Sequence, residues 1–67
     1  MLQLTINGEN REFAQVMNVS ELLAELALTG KRIAVERNGE IVPRAMHLHT
    51  ALNSGDQLEI VVAVGGG

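Results

Sequence analysis

Hydrophobic residues recur at two periods along this chain. At the start, Leu2, Leu4 and Ile6 alternate with Gln3 and Thr5. A period of two predicts a half-buried strand. Asn7-Gly8 follows, a dipeptide suited to the positive φ values of a tight hairpin turn. A weakly patterned return strand is expected around Arg11 to Ala14. The period then lengthens. Val19, Leu22, Leu23, Leu26 and Ala27 fall at i, i+3, i+4, i+7 and i+8, the spacing of one helix face. Asn18 and Glu21 have capping-box spacing, and Met17 and Leu22 stand where a hydrophobic staple closes. Gly30 supplies an expected stop.

Alternation returns with Ile33 and Val35. Asn38-Gly39 and a short Ile41-Val42 complete a second predicted hairpin, ended by Pro43, which cannot donate to a ladder. The stretch from Pro43 to Gly55 shows no period, and Asn53 to Asp56 reads as a turn. Finally Leu58, Ile60, Val62 and Val64 alternate with Glu59, Val61 and Ala63. So apolar a strand is expected inside the sheet, projecting the glycines that follow. The predicted core is Leu2, Leu4, Ile6, Leu22, Leu23, Leu26, Ile33, Val35, Leu58 and Ile60. Two hairpins flanking one helix predict an α+β domain, with the helix on one face of a sheet.

Size limits the chemistry. Sixty-seven residues make one small domain that buries only about 60% of its unfolded surface. A core and a deep substrate cleft compete for that volume. The formal charge is −3, from 8 acidic and 5 Lys or Arg residues, and Phe13 is the lone aromatic. Nucleic acid is therefore an unfavoured partner, because binding it takes clustered cations and often stacking rings. No apolar run approaches the roughly 20 residues of a membrane span, and no signal-peptide pattern opens the chain. The expected location is cytoplasmic. The chain has no cysteine, which removes disulfides, thiolate catalysis and thiolate metal sites.

Few side chains suggest a reaction. His47 and His49 are two apart, but a metal needs three or four ligands, so they are read as solvent-facing loop residues. Glu36 and Glu40 flank the second turn and are expected to be solvated surface charge. Arg37 and Arg44 could grip a carboxylate or phosphate; solubilising charge is favoured, with a partner contact near Pro43-Arg44 left open. Val61 and Ala63 lie opposite the expected core face. They mark either a docking surface or simple centrality in the sheet. The chain then closes on Gly65, Gly66 and Gly67. A terminal carboxyl is ionised at neutral pH and can attack the α-phosphate of ATP. Glycines without side chains could enter a narrow tunnel and adopt any φ/ψ a partner requires.

Together these features resemble the ubiquitin-like β-grasp sulfur carriers, most closely those of thiamine biosynthesis. The likeness spans nearly the whole chain through LTING, VSELLAEL, VERNGEIVPR and LNSGDQLEIVVAVGGG. It implies a four- to five-stranded mixed sheet with one main helix, a single domain over residues 1–64 and a flexible glycine tail over 65–67. It also implies a route. A ubiquitin-activating-type adenylyltransferase would use ATP to adenylate the carboxyl of Gly67. Sulfur from a cysteine desulfurase would replace AMP. The resulting thiocarboxylate would donate sulfur to thiazole synthase, which builds the thiazole ring. Gly65 and Gly66 would give access to Gly67, and Val61, Ala63, Pro43 and Arg44 would offer a partner surface. The chain would be a monomer when free, with no catalytic residue, metal or bound cofactor of its own. The rival readings are a carrier of a sister pathway such as molybdopterin synthesis, a ubiquitin-like protein modifier, and a plain interaction domain.

Overall fold

The computed structural model describes residues 1–63; Val64, Gly65, Gly66 and Gly67 lie outside the described residues. Five strands and one helix form: β1 (Leu2–Ile6), β2 (Glu9–Phe13), α1 (Val19–Glu25), β3 (Ile33–Arg37), β4 (Glu40–Val42) and β5 (Gln57–Val62), with a 3-10 helix at Arg44–His49 between β4 and β5. The sheet order is β2-β1-β5-β3-β4. β5 thus occupies the centre, parallel to β1 and antiparallel to β3. The two hairpins pair antiparallel, so the sheet is mixed.

The hairpins form where the sequence places them. Asn7 and Gly8 have φ of 50° and 84°, and Asn38 and Gly39 have 51° and 87°. Both central residues of a type I′ turn need positive φ, and its twist matches that of the flanking strands. The capping box at α1 is complete. Asn18 Oδ1 accepts from the Glu21 N–H at 2.7 Å, and Glu21 Oε1 accepts from the Asn18 N–H at 2.9 Å. Val19, Leu22 and Leu23 from α1 join Leu2, Leu4, Ile6, Val35, Leu58 and Ile60 from the sheet in one core.

Three expectations are corrected. The helix stops before Gly30: the left-handed residue at its end is Ala27, at φ 59°, and Gly30, at φ 86°, turns the chain three residues later. The Leu28 N–H reaches the Leu23 carbonyl at 2.8 Å, and the Ala27 N–H reaches that of Ala24 at 3.0 Å. These are the two hydrogen bonds of a Schellman motif. Leu26 and Ile33, predicted in the core, are only half-buried and pack against it. Their places go to Val19 and Leu52. Leu52 lies in the stretch without a period, after the 3-10 helix. Its N–H donates to the Met17 carbonyl at 3.0 Å, and Val19 N–H donates to the Thr50 carbonyl at 3.0 Å. These bonds clamp the segment against the entry to α1 and drive Leu52 inward.

Candidate functional site

The central strand leads towards the glycines, so its last described residues define the candidate site. Pairing continues past β5: the Ala63 N–H donates to the Arg32 carbonyl at 2.9 Å. On the face turned away from α1, Val61 lies directly across from Ala34. Val61 is 61% exposed. A shallow shelf of about 420 Å³ forms here, lined by Arg32, Ile33, Ala34, Arg44, Val61 and Ala63. β5 is central in the sheet, and its outer side at Val61 and Ala63 is an open apolar surface.

The structure separates the other candidates. Arg44 stands on the shelf, whereas Pro43 does not; Pro43 precedes the 3-10 helix and lines a different depression with Ile41 and Met46. Arg37 and Arg44 do not converge. Arg37 is held by Asp56, Nε to Oδ2, at 2.8 Å. Glu36 and Glu40 occupy successive registers, Glu36 opposite Ile41 and Glu40 opposite Arg37, so strand alternation sends them to opposite faces. Glu36 instead lies across from Glu59 on the open face, a like-charge pairing that works against the sheet. The open face is thus divided along its length. It is apolar and arginine-rimmed near Ala63, and acidic towards its middle.

His47 Nε2 donates to the Val42 carbonyl at 3.2 Å, while His49 is exposed. Among the described residues, no three or more His, Cys, Asp or Glu side chains are grouped to hold a metal ion. Asp56 is buried, and burial acts to raise its pKa. Hydrogen bonds from the Asn53 N–H, Arg37 and Asn38, with the Arg37 charge, outweigh that and hold the carboxyl below its ordinary value. It fixes the turn before β5. Arg32 and Ala34 escaped the sequence reading, although alternation from Ile33 and Val35 puts Ala34 on the face of Val61.

The ThiS family model matches residues 4–67. The chain belongs to the ThiS family. It is 38% identical over 68 residues to "Sulfur carrier protein ThiS" of Bacillus subtilis, with all of both chains covered. It is 50% identical over 66 residues to "Thiazole synthase" of Paramagnetospirillum magneticum, covering 98% of this chain but only 20% of that protein. Among solved structures, the thiamine biosynthesis protein ThiS of Geobacter metallireducens superposes with a TM-score of 0.83 at 35% identity, covering 98% of this chain and all of that one. The ThiS β-grasp architecture, a five-stranded mixed sheet with one helix, is therefore the architecture of this chain. Among the described residues no helix is long and apolar enough to cross a membrane.

Proposed function

We propose that this ThiS-family chain carries sulfur for thiamine biosynthesis on the carboxyl of Gly67, with Gly65 and Gly66 giving access to it. The family match running from residue 4 to residue 67 is the observation that carries this reading. The position of Ala63 supports it: it directly follows the central strand and is tied to Arg32 by its N–H.

The chemistry belongs to partners. An adenylyltransferase of the ubiquitin-activating type binds ATP, and the Gly67 carboxylate attacks its α-phosphate. Pyrophosphate leaves and an acyl-adenylate forms. The terminal sulfur of a persulfide, made by a cysteine desulfurase, then attacks the acyl carbon and AMP leaves. A thiol attacks the outer sulfur of that acyl disulfide, so a disulfide departs and the thiocarboxylate remains on Gly67. Thiazole synthase takes the sulfur. The resemblance to thiazole synthases favours that acceptor over molybdopterin synthesis. This chain contributes an ionised carboxyl, thin residues behind it and the Val61–Ala63 shelf; it is a recycled co-substrate without a catalytic residue.

Intact-mass spectrometry tests the proposal. With its adenylyltransferase, ATP, a cysteine desulfurase, cysteine and a thiol, the chain is expected to exchange one oxygen for sulfur, localised to the C-terminal peptide. A chain left unmodified by active partners would overturn the carrier reading. An isopeptide bond to a lysine would make it a modifier instead.

A further inference from the structure

A second groove lies on the helical side of the molecule, between the end of α1, the start of β3 and the 3-10 helix. Its volume is about 330 Å³. Ligand pockets run to roughly 300–1,000 Å³, so this one is sized for a few side chains. Leu23, Leu28 and Leu48 supply apolar walls, and Lys31, Arg44 and His47 supply the polar rim. Leu48 is 66% exposed. No aspartate or glutamate lines the groove, although acids outnumber Lys and Arg by 8 to 5 in the chain. Two of the five permanent cations thus flank one leucine-lined recess. His47 is anchored through Nε2 to the Val42 carbonyl, so the rim is partly preset.

We propose that this groove is a docking site for an acidic, leucine-bearing segment of a protein partner. Apolar walls take the leucine side chains, and Lys31 and Arg44 meet the carboxylates. Charge complementarity favours an acidic occupant over a basic one. The leucine walls favour a peptide over a bare anion, which would gain nothing from them. Arg44 and Ile33 also line the shelf beside Ala63, so the groove and the tail root share an edge. A partner seated in the groove therefore reaches the edge of the shelf that includes Ala63. Such a contact can select a partner through residues other than the glycines.

The test uses a short synthetic peptide with leucines at i and i+4 separated by aspartates, titrated into the isotopically labelled chain and followed by amide chemical shifts. The shifts are expected at Lys31, Ala45 and Leu48. A counterpart with lysine in place of aspartate, and the Lys31→Glu variant with the original peptide, should each bind about tenfold more weakly or worse. Leu48→Asp should weaken binding similarly, and circular dichroism should show both exposed-site variants folded. The affinity should fall as salt rises. Equal binding of the acidic and basic peptides would overturn the proposal. So would shifts confined to Val61 and Ala63, no binding at millimolar peptide, or the same shifts produced by inorganic phosphate alone. The readout makes no use of Gly67, so failure here leaves the carrier reading standing, and an unmodified Gly67 leaves this one standing.

Discussion

The side chain of Asn7 pairs with the backbone of Ile60 in both directions. The Ile60 N–H donates to Asn7 Oδ1 at 2.8 Å, and Asn7 Nδ2 donates to the Ile60 carbonyl at 3.1 Å. One amide side chain thus stands in for a strand residue beside β5. Asn38 does part of the same work on the other flank, where its Oδ1 accepts from the Gln57 N–H at 2.9 Å. Each Asn-Gly turn closes its own hairpin and also holds the strand that ends at the tail.

Asn7→Asp tests that clamp. Aspartate tolerates the left-handed turn conformation, so the turn itself survives. The donor to the Ile60 carbonyl becomes an oxygen facing an oxygen. The expected loss is roughly 1–3 kcal/mol, the cost of leaving a part-buried polar group unsatisfied. Urea unfolding should show a lower midpoint at an unchanged slope. An unchanged midpoint would show that water replaces the bond freely.

Asp56 gives the domain an acid-sensitive joint. Its folded pKa is lowered, and an aspartate in an unfolded chain titrates near about 3.9. The ionised carboxylate therefore contributes its full stabilisation above about pH 5 and loses it as pH falls through the folded value. The unfolding free energy should be flat in this contribution near neutrality and decline below about pH 4. Asp56→Asn should be less stable by roughly 1–3 kcal/mol at neutral pH, and the gap to wild type should narrow in acid. A constant gap from neutrality to about pH 2 would assign the acid response to other carboxylates.

Local chemistry made much of this fold legible. Asn-Gly at 7–8 and 38–39 marked both hairpins, Asn18 with Glu21 marked the helix start, and the apolar run from Leu58 to Val64 marked β5 as an interior strand. The misses share a cause. Leu52 stands between exposed Ala51 and Asn53 with no periodic neighbour, so only tertiary hydrogen bonds reveal its burial. At the helix end, Gly30 offered a cheap left-handed residue, but the packing of Leu28 against the core set the stop earlier and forced Ala27 into that conformation. The shelf was half legible: alternation gives the faces of Val61, Ala63 and Ala34, but the pairing of β3 with β5 was needed to bring Ala34 and Arg32 beside them.

Ala27→Gly should therefore stabilise the chain. Ala27 is exposed and takes a left-handed φ of 59°, which costs an L-residue about 1–2 kcal/mol. Glycine removes that strain but brings a floppier unfolded state, a loss of roughly 0.4–1 kcal/mol. A net gain of about 0.5–1 kcal/mol is expected, visible as a higher melting temperature. A lower one would mean that the alanine methyl makes a contact worth more than its strain.

Leu52→Ala and Leu26→Ala separate the observed core from the predicted one. Leu52 is 1% exposed, and its truncation should cost roughly 2–5 kcal/mol. Leu26 is half-buried, so its loss should fall at or below the lower end of that range. The reverse order in a denaturant titration would place the loop leucine outside the cooperative core.

Docking and alignment at the tail can be told apart by kinetics with the adenylyltransferase. Val61 lies on the outer side of β5, away from the core, so Val61→Asp should keep the fold at a cost of up to about 1 kcal/mol, since aspartate is disfavoured in strands. It puts a charge on the apolar shelf that the proposed adenylyltransferase would cover. An interaction used equally in the bound ground state and the transition state appears in KM with kcat unchanged, and that is the expected signature. Gly66→Val acts elsewhere. It adds a β-branched side chain next to the reacting carboxyl and restricts the φ/ψ available there. A displacement of about 1 Å at the attacking oxygen can cost on the order of 100-fold in rate, so the loss should fall on kcat. A pyrophosphate-exchange assay resolves the two parameters for each variant. Wild-type kcat/KM for Val61→Asp would remove the shelf from docking, and a Gly66→Val defect confined to KM would mean that the glycine serves binding and not alignment.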